Sequence, residues 1–526
     1  MNAATEMPNG AQTLVHTLLA GKVDLCLANP GTSEMQFVAA LDGIPEMRCV
    51  LGLFEGVLTG AADGYARMTD KPACTLLHLA PGLANGLANL HNAKRARVPV
   101  INLIGEHRQG HKVTDSPLTG DIETLAGTMS DWVKTCTSAD HIALDAAEAI
   151  REANTAPGRI STLVLPADTA WTPVREATTL DFAPPPQTVP SAACFQEAVD
   201  ALKSGEKVVM LLSGRALRAD ALALANRIVQ RTGADMLAQY ANSRIERGAG
   251  RTRIERTPAP VDEGVAAFRD ASYIILVGAK PPTPMFGYPG KPDWLAAPSS
   301  KIIALAAPSD DLHATLHELA DRVGAMGTTT QVESLVDLEL RIPQGRLTAD
   351  SALRCVAAML PEHAILVDES ISAGRKFFSL SAGAQPHDYL QLTGGSIGDG
   401  LPLATGAALA CPQRKVINIE GDGSSMYTIQ ALWTQARERL DVVTVIFANR
   451  GYQVLKNELI NVGAKQWGER AEQMLSISNP EISWVKLAEG MGVEAAAADD
   501  CARLCDLLRD GLSRRGPFLI EARIDR

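Results

Sequence analysis

Two residues with oxygen-bearing side chains follow two apolar runs in the last third of the sequence. Asp422 comes soon after residues 416–419, and Asn449 comes soon after residues 442–447. If these runs are neighbouring parallel strands, their carboxyl ends meet at one edge of a sheet and both side chains face one crevice. Hard cations such as Mg²⁺ prefer oxygen ligands and usually keep phosphate oxygens in their shell. The spacing therefore predicts a metal and phosphate site.

Small residues surround Asp422 and would allow a ligand to approach the backbone. Gly421 and Gly423 flank the aspartate, and Ser424 follows in what the pattern predicts to be the first turn of a helix. The free amides at a helix start suit an anion such as a diphosphate. A Gly-Asp-Gly turn also occurs in ordinary connections between a strand and a helix, so the turn alone leaves both interpretations open. Together with Asn449, it indicates a clamp for a metal and a diphosphate.

One carboxylate in the first third, Glu55, is a candidate acid or base. It follows a short apolar run and opens a segment, residues 55–68, that is rich in Gly and Ala and has a helical pattern. A helix with so many small residues can pack closely against a neighbour. A Glu near a helix start is also favoured by the helix dipole, so its position alone does not separate a catalytic role from a structural one.

These features together resemble the thiamine-diphosphate-dependent enzymes of the acetolactate synthase and benzoylformate decarboxylase type. The Glu55 segment with its Ala-Asp-Gly-Tyr-Ala ending, the Gly-Asp-Gly turn and the later Asn stand in the order of that family. The resemblance implies that Asp422, the Asn449 side chain and the Gly451 carbonyl hold magnesium on the diphosphate of thiamine diphosphate. It also implies that Glu55 activates the cofactor. Ala448 stands where family members often have a further Asn, at a position that is not a metal ligand.

The resemblance further implies that several turns contact the cofactor. Ile397 is the bulky side chain expected beneath the bent cofactor, within a Gly-rich turn. Capped helix starts, glycine turns and core packing are competing explanations for members of this group. The expected cofactor-binding residues are Glu55, Pro30, Glu369, Ser370, Ser372, Gly395, Ser396, Ile397, Gly421, Gly423, Ser424 and Tyr452.

The expected substrate-binding residues follow neither type of enzyme closely. Thr32 stands where benzoylformate decarboxylases have a serine that meets the substrate carboxylate, and His78 stands where they have a histidine that transfers a proton. Those enzymes bring a second histidine from the middle domain, whereas Met285 falls near that place here. Acetolactate synthases use a segment in which this chain has other residue types, which leaves His107 and His111 as the polar groups near the site. All four polar residues are candidate catalytic groups, and each also has an ordinary structural explanation.

The resemblance implies a reaction that begins with loss of carbon dioxide from a 2-oxo acid. An acetolactate synthase-like enzyme then forms a 2-hydroxy ketone or an acetohydroxy acid by adding the remaining fragment to a second carbonyl. A benzoylformate-type enzyme releases an aldehyde instead, and a carbon–carbon lyase acting on another 2-oxo or 2-hydroxyacyl substrate is a further alternative. The sequence selects neither one of these reactions nor the particular 2-oxo acid.

The family resemblance also bears on further cofactors and on the number of subunits. No clear dinucleotide fingerprint occurs between residues 191 and 340, so FAD, which acetolactate synthases bind, is left open. A nucleotide-binding enzyme is a rival class, but the GxxxxGK[ST] motif is absent from the sequence. In the resembling family, the Glu and the metal loop of one site come from different subunits. We therefore expect a homodimer as the minimum and a homotetramer as the full assembly, and a need for a regulatory subunit is left open.

The elements that must position these residues alternate along the chain. Short apolar runs that end in Gly, Pro, Asp or Ser alternate with helix-period segments, which predicts parallel strands joined by crossover helices. Pro-rich residues 182–190 and a second linker near residues 341–345 divide the chain. We predict an α/β fold of three doubly wound parallel-sheet domains, which are residues 1–180 (pyrimidine-binding), 191–340 (central) and 347–526 (diphosphate-binding).

Composition limits the partners of the protein. The net charge is −11 with acidic and basic residues mixed throughout, which offers no basic stripe for nucleic acid and no polybasic surface for a membrane. No apolar run reaches the ~20 residues of a membrane helix, and residues 1–10 lack the features of a signal peptide. The nine cysteines are scattered without metal-site spacing, which suits reduced thiols. We expect a cytoplasmic protein that binds a small anionic substrate.

Overall fold

Three β-sheets follow one another along the chain, each flanked by helices. The computed structural model describes residues 7–175, 179–336, 338, 341–464 and 466–525. Strands within each sheet are parallel, apart from one strand in the third sheet. The structure is therefore an α/β architecture with three separate, mainly parallel sheets.

The first sheet has six strands in the order β2-β1-β3-β4-β6-β5. Its strands are β1 (Leu25–Asn29), β2 (Arg48–Leu51), β3 (Ala73–Leu77), β4 (Val100–Glu106), β5 (Trp132–Thr135) and β6 (Ile160–Pro166). Its helices are α1 (Gly10–Ala20), α2 (Met35–Leu41), α3 (Glu55–Thr69), α4 (Leu79–Ala96), α5 (Ile122–Gly127), α6 (Ile142–Asn154) and α7 (Ala167–Trp171). Short 3₁₀ helices lie at Thr32–Glu34, Gln109–Thr114 and Ala139–His141.

The middle sheet has five strands in the order β10-β8-β7-β11-β12. These are β7 (Val208–Leu212), β8 (Asp235–Ala238), β10 (Glu255–Arg256), β11 (Tyr273–Val277) and β12 (Lys301–Ala306), with helices α8 (Ala192–Leu202), α9 (Ala219–Thr232), α10 (Val261–Phe268) and α11 (Leu312–Arg322) and a 3₁₀ helix at Gly214–Leu217. The remaining strand of this part of the chain, β9 (Ile245–Arg247), joins the third sheet instead.

The third sheet has seven strands in the order β17-β18-β16-β15-β13-β14-β9, and β9 pairs antiparallel with β14. Its other strands are β13 (Ala364–Glu369), β14 (His387–Gln391), β15 (Val416–Gly421), β16 (Val442–Ala448), β17 (Glu494–Ala498) and β18 (Phe518–Arg523). Its helices are α12 (Ala349–Ala358), α13 (Phe377–Leu380), α14 (Gly400–Ala410), α15 (Asp422–Ser425), α16 (Ala431–Glu438), α17 (Gln453–Asn461), α18 (Glu469–Leu475), α19 (Trp484–Gly490) and α20 (Cys501–Ser513).

The apolar runs of the sequence form the central strands. Strands β4, β6, β7 and β16 are buried along their whole length. Helices cover both faces of such strands, so every position faces apolar surroundings and the sequence is a continuous apolar run rather than an alternating one. The predicted linker at residues 182–190 contains neither helix nor strand. Each predicted domain range holds one sheet apart from β9, while the exact boundaries stay a prediction.

Helices α3 and α14 connect the first and third sheets through close backbone contact. A Cβ atom added to Gly64 would lie 2.1 Å from the carbonyl oxygen of Leu403, and one added to Gly406 would lie 1.9 Å from the carbonyl oxygen of Ala61. Only glycine fits at both positions, which explains why the Glu55 segment contains so many small residues. This crossing holds the middle of α3, the helix that begins at Glu55, against α14 of the third sheet.

A membrane span is not found in the described ranges. No helix there combines the length and the apolar character that crossing a bilayer requires.

Candidate active site

Glu55 is the first residue of α3 and is 8% exposed. The side-chain amide of Asn85 donates a hydrogen bond to Oε2 of Glu55 over 2.9 Å. A Cβ atom on Gly82 would lie 3.3 Å from Oε1 of Glu55 and 3.5 Å from Cβ of His78. The missing side chain at Gly82 therefore leaves room for both groups, and it places the candidate acid or base beside the candidate proton-transferring histidine.

His78 lies at the carboxyl end of β3, where it precedes α4. Its Nδ1 lies 2.9 Å from Oε2 of Glu34, and its side chain is 22% exposed. Glu34 belongs to the turn after β1 that also contains Pro30 and Thr32. Pro30 is half-buried and Thr32 is exposed at the start of the 3₁₀ helix. The ends of β1 and β3 therefore bring Thr32, Glu34 and His78 to one edge of the first sheet, since the two strands are paired neighbours.

His107 and His111 follow β4 at the same edge, and their rings meet edge to face with centroids 5.4 Å apart. Nε2 of His107 lies 3.0 Å from the Ser116 hydroxyl. The fully buried carboxylate of Glu106 accepts a hydrogen bond from the His107 backbone amide and forms an ion pair with Lys112 at 2.9 Å. These contacts hold the loop after β4 in place, so a structural role explains both histidines without a role in substrate binding. Their catalytic roles stay a prediction.

Asp422 and Asn449 lie where the sequence places them, at the ends of the paired parallel strands β15 and β16. Oδ1 of Asp422 accepts a hydrogen bond from the Gly423 amide at 2.9 Å, and Oδ2 accepts one from the Arg450 amide at 2.6 Å. The Asn449 side-chain oxygen accepts a hydrogen bond from the Gly451 amide at 3.0 Å. The two loops are thereby tied together. Burial raises the pKa of Asp422 to about 6, although the amide hydrogen bonds oppose this change.

A cleft of about 150 Å³ opens beside these loops. Ser372, Asn449, Gly451, Lys456 and Ser476 are among its lining residues. A carboxylate, a side-chain amide oxygen and a backbone carbonyl are the donors that Mg²⁺ prefers, and a cation between the Asp422 and Asn449 loops would stabilise the Asp422 carboxylate that burial disfavours. The Gly451 carbonyl accepts a hydrogen bond from the Gln453 amide at 3.1 Å and keeps a second lone pair for a metal. The residues present therefore fit a magnesium ion with a diphosphate.

Tyr452 packs against the first turn of α15. A Cβ atom on Gly423 would lie 2.3 Å from the Tyr452 ring, so a side chain there would displace the ring. Gly421 and Ser424 form the same turn, in which the Ser424 hydroxyl donates to the Gly421 carbonyl over 3.0 Å. The predicted helix start after Asp422 is present as α15, which is only one turn long.

Glu369 supports the Gly-rich turn after β14. Its Oε1 accepts a hydrogen bond from the Gly398 amide at 2.7 Å, and its Oε2 accepts one from the Gly400 amide at 2.5 Å. Burial raises the pKa of Glu369 to about 7, against the effect of these amides. The Ser370 hydroxyl donates to Asp368. Both side chains thus bind protein atoms, and the expected contact of Glu369 and Ser370 with the diphosphate stays a prediction.

The Gly-rich turn is also held from the first third of the chain. The Asn92 side chain donates to the Ser396 carbonyl at 2.7 Å and accepts from the Ser396 amide at 3.2 Å. Gly395 is exposed with φ of 78°, a left-handed conformation that favours glycine, and Ile397 is half-buried. The turn is therefore shaped before any ligand binds.

Several supporting residues were missed by the sequence interpretation. Asn85, Asn89 and Asn92 lie on α4, and the Asn89 side chain donates to the carbonyls of Gly56 and Gly398 at 2.8 and 3.1 Å. Asparagine is an unfavourable residue inside a helix, so three of them at helical spacing were a usable signal. Glu34 was also missed, because its partner His78 is distant in sequence.

A buried charged group lies beneath the Gly-rich turn. Arg67 donates two hydrogen bonds to the carboxylate of Asp63, at 2.7 and 2.6 Å. Asp399 is fully buried, and an Nη atom of Arg67 lies 3.9 Å from its Oδ2. Neither oxygen of Asp399 has a hydrogen-bond partner in the described part of the chain. Burial, with the charge of Asp63 adding to it, raises the pKa of Asp399 well above its ordinary value.

One loop of the middle domain reaches the helix that follows the metal loop. The Tyr288 hydroxyl donates a hydrogen bond to Glu458 of α17 at 2.6 Å. Met285, which stands near the place of the second histidine of benzoylformate decarboxylases, is 54% exposed on this loop. No residue of α17 is buried, so packing within this chain does not account for its apolar side chains.

The fold, with the strand-end loops of the first and third sheets, is that of a thiamine pyrophosphate enzyme, and the chain belongs to that family. The family's N-terminal TPP binding domain matches residues 8–125, and its C-terminal TPP binding domain matches residues 374–522. The predicted family is therefore confirmed. The predicted fold of three doubly wound α/β domains is confirmed as well.

Three relatives indicate the part of the family to which the chain is similar. It is 48% identical over 515 residues, 98% of both chains, to a putative acetolactate synthase large subunit, IlvX, of Mycobacterium tuberculosis. It is 27% identical over 518 residues, 94% of both chains, to benzoylformate decarboxylase of Pseudomonas aeruginosa. A solved 4-hydroxybenzoylformate decarboxylase of Rhodococcus jostii RHA1 superposes with a TM-score of 0.85 at 25% identity, covering 98% of this chain and 99% of that one. The relatives thus include an acetolactate synthase-like protein and decarboxylases.

Proposed function

We propose that this protein is a thiamine-diphosphate-dependent enzyme that decarboxylates a 2-oxo acid and joins the remaining fragment to a second carbonyl, as an acetolactate synthase-like carboligase. The supporting observation is the state of Glu55. Its carboxylate is almost buried, Asn85 is its hydrogen-bond partner, and no ion pair neutralises it within the described residues. Oε1 of Glu55 is therefore available to hold a proton for a cofactor ring nitrogen.

Asp422, Asn449 and Gly451 are the proposed ligands of Mg²⁺. The carboxylate, the side-chain oxygen and the backbone carbonyl would share the ion with the diphosphate. Ser372 and Lys456 line the same cleft and would face the phosphate oxygens. Expected cofactor contacts from Pro30, Ser396, Ile397 and Tyr452 belong to this proposal too.

Each proposed catalytic residue binds substrate or holds a proton. When bound, thiamine diphosphate supplies the electron sink that accepts the electron pair left by departing carbon dioxide. Glu55 holds a proton at Oε1, and His78 holds or releases one at Nε2. Thr32 is exposed at the same sheet edge, and its hydroxyl would bind the substrate carboxylate. His107 and His111 would line the far side of this edge.

A benzoylformate-type decarboxylase that releases an aldehyde is the second candidate. It is favoured by His78, which lies beside Glu55 and can protonate the fragment left after decarboxylation. The 27% identical relative and the similar solved structure carry names of this type. The absence of a histidine from the middle-domain loop, where Met285 stands, favours carboligation instead.

We propose a homodimer as the minimum and a homotetramer as the working assembly. Leu455, Ile460 and Val462, on or next to α17, are 43%, 57% and 56% exposed, and a second copy of the chain would cover them. The Glu55 of one subunit would then serve the metal loop of another. Eight cysteines form no disulfide in the described ranges, which supports a reducing cytoplasmic location; they are Cys26, Cys49, Cys74, Cys136, Cys194, Cys355, Cys411 and Cys501.

Two measurements test the proposal. Thiamine diphosphate with Mg²⁺ should raise the melting temperature, whereas ATP with Mg²⁺ should leave it unchanged. A screen of pyruvate, branched and aromatic 2-oxo acids should then show release of carbon dioxide with at least one substrate, and chromatography should identify a hydroxy ketone or an acetohydroxy acid. An aldehyde as the sole product would replace carboligation with the second candidate. Stabilisation by ATP alone would contradict the proposed cofactor.

A further inference from the structure

Glu34 and His78 form a pair that no role assigned so far explains. Nδ1 of His78 lies 2.9 Å from Oε2 of Glu34, and the carboxylate side chain is 1% exposed. The same Oε2 accepts a hydrogen bond from the Gly31 amide at 2.7 Å. The other oxygen, Oε1, is buried without a hydrogen-bond partner in the part of the chain that the structure describes.

Two glycines make the space for this pair. A Cβ atom on Gly31 would lie 2.2 Å from Nδ1 of His78, and one on Gly105 would lie 1.6 Å from Oε1 of Glu34. Gly31 has φ of −113°, a value that any residue adopts, so backbone conformation does not require glycine there. The missing side chains therefore serve the imidazole and the carboxylate rather than the turn.

Capping of the short 3₁₀ helix is the structural explanation for Glu34. A cap needs only the Gly31 amide, and Ser, Asn or Asp residues commonly provide one without burying a longer carboxylate. Burial raises the pKa of Glu34, and the charge of His78 opposes that change. A carboxylate that burial disfavours, held against one imidazole nitrogen, exceeds what a cap requires.

The shared oxygen decides which imidazole nitrogen carries the proton. Oε2 accepts from the Gly31 amide, so it acts as an acceptor, and Nδ1 of His78 donates to it. In the neutral ring, Nε2 then has a free lone pair. No hydrogen bond to Nε2 is found in the described ranges, and the side chain is 22% exposed at the site edge.

We propose that Glu34 is the positioning residue of His78, fixing the ring and its Nδ1–H tautomer so that Nε2 faces the substrate. The inference rests on the proposed function, in which His78 exchanges a proton with the reacting substrate. A carboxylate or carbonyl that fixes the tautomer of a functional histidine acts through the second ring nitrogen. Glu34 itself touches neither substrate nor cofactor.

The first test reads the tautomer directly. Solid-state NMR of the cofactor-loaded protein, labelled with ¹⁵N-histidine, is recorded at a pH where the ring carries one proton, and the His78 signals are identified by their loss in His78→Gln. The wild-type protein and Glu34→Gln, which keeps an acceptor oxygen, should both show a protonated Nδ1. Glu34→Leu, which has no acceptor, should show a protonated Nε2 or a mixture. A protonated Nδ1 in Glu34→Leu overturns the inference.

The second test reads turnover with the substrate found in the screen. His78→Gln should lower kcat by roughly 10²-fold or more, in the range of general acid–base catalysis. Glu34→Leu should come close to that loss, Glu34→Gln should retain most of kcat, and the double variant should be no slower than His78→Gln because the two residues act as one unit. Wild-type turnover in Glu34→Leu overturns the inference while the proposed function stands. Wild-type turnover in His78→Gln overturns both the role of His78 and the need to position it.

Two further variants separate positioning from folding. Gly105→Ala keeps the carboxylate but should push it away from His78, and it should reproduce the NMR change of Glu34→Leu. Asp145→Asn removes another buried carboxylate of the same part of the chain, on α6, which pairs with Lys134 of β5 at 2.8 Å, and should change neither the His78 signals nor kcat. Cofactor-induced melting shifts confirm that each variant is folded. An unchanged Nδ1 signal in Gly105→Ala, or a changed one in Asp145→Asn, contradicts the inference.

Discussion

The first and third sheets share one topology and carry different side chains at their strand ends. Strands β1 to β6 lie in the order β2-β1-β3-β4-β6-β5, and β13 to β18 lie in the corresponding order β14-β13-β15-β16-β18-β17. The strand β9 is an addition at the edge of the third sheet. Helices α3 and α14 follow the second strand of each set and pack against one another, so the two halves meet at equivalent elements.

Equivalent strand ends hold unlike residues. The third strand of the first sheet leads to His78, whereas that of the third sheet leads to Asp422. The fourth strands lead to Glu106 and to Asn449, respectively. Glu55 opens the helix after the second strand in one half, and a Gly-rich turn occupies that place in the other.

The comparison shows that the shared topology sets where the strand ends lie, while the residues at those ends differ, and we infer that the two sets of residues have different roles. The strand ends of the first sheet present a carboxylate and an imidazole, which are groups that can hold protons. The strand ends of the third sheet present oxygen donors and backbone amides, which suit a cation and an anion. We therefore expect variants at the strand ends of the first sheet to lose turnover and keep the cofactor, and variants at the strand ends of the third sheet to lose the cofactor.

The largest effect is expected from Glu55→Gln. The amide keeps the size of the side chain but cannot take up the proton, so kcat should fall by about 10³-fold. Binding of thiamine diphosphate and Mg²⁺ should remain, because the diphosphate loops are untouched. Steady-state kinetics and isothermal calorimetry measure the two quantities. Loss of cofactor binding in this variant would contradict the assignment of proton transfer to the first sheet and cofactor binding to the third.

Asp422→Asn should have the opposite profile. It removes the charged ligand, so the stabilisation of about 2.7 kcal/mol that a hundredfold excess of cofactor over its Kd gives should largely disappear. The exposed carboxylate variant Asp506→Asn, on α20, should retain that stabilisation. Melting curves at a series of cofactor and Mg²⁺ concentrations provide the comparison. A normal cofactor shift in Asp422→Asn would show that the metal is held elsewhere.

Gly64→Ala tests the crossing that joins the two halves. The new methyl group would lie 2.1 Å from the Leu403 carbonyl oxygen, so α3 and α14 must separate. Overpacking of this kind should cost about 3 kcal/mol of unfolding free energy. Gly127→Ala is the matched control, since nothing lies within 4 Å of its new Cβ atom, and it should be neutral or slightly stabilising. Urea unfolding of the cofactor-free protein measures the stability of both variants. Equal stability would show that the crossing of α3 and α14 can relax around the new methyl group.

Central strands were predictable from sequence, and several other strands were not. Residues 442–448 are almost entirely apolar and residues 416–419 are mostly so, because helices cover both faces of their strands, and that pattern is visible in one sequence. Strands β2, β5 and β17 are partly exposed; β2 and β5 are short and contain Arg48 and Lys134, and β17 is mostly alanine, which favours helix rather than strand. β14 is fully buried yet polar, because Asp388 within it pairs with arginines from distant segments. Such pairing depends on tertiary contacts and leaves no local pattern.

The same limit applies to the candidate site. Asp422, Asn449 and Glu55 were predictable because each adjoins a strand or helix boundary with its own local pattern. The contact of Glu34 with His78 was not, because it joins the ends of two strands that are neighbours only in the folded sheet. The support of the Gly-rich turn by Asn92 likewise crosses between the first and third sheets.

The smallest effect on turnover is expected from Asp399→Asn, in the Gly-rich turn, which should change mainly the pH dependence of stability. The pKa of Asp399 is raised in the folded protein by burial, whereas the unfolded chain should titrate near the ordinary value of about 3.9. Above that pH the folded state keeps a proton that the unfolded state loses. Stability should therefore fall as pH rises, by up to about 1.4 kcal/mol per pH unit, until the folded carboxyl ionises.

Asparagine removes this titration, so Asp399→Asn should be less sensitive to rising pH and more stable than the wild type in neutral buffer. Asp388 is the matched control, because it is equally buried but pairs with Arg244 and Arg414, and its pKa is lowered in spite of burial. Asp388→Asn should lose stability above the ordinary Asp pKa, the opposite sign. Urea unfolding across a pH series distinguishes the two carboxylates. If both variants respond alike, burial rather than the partner determines the charge of these groups, and the contrast between the two sites is wrong.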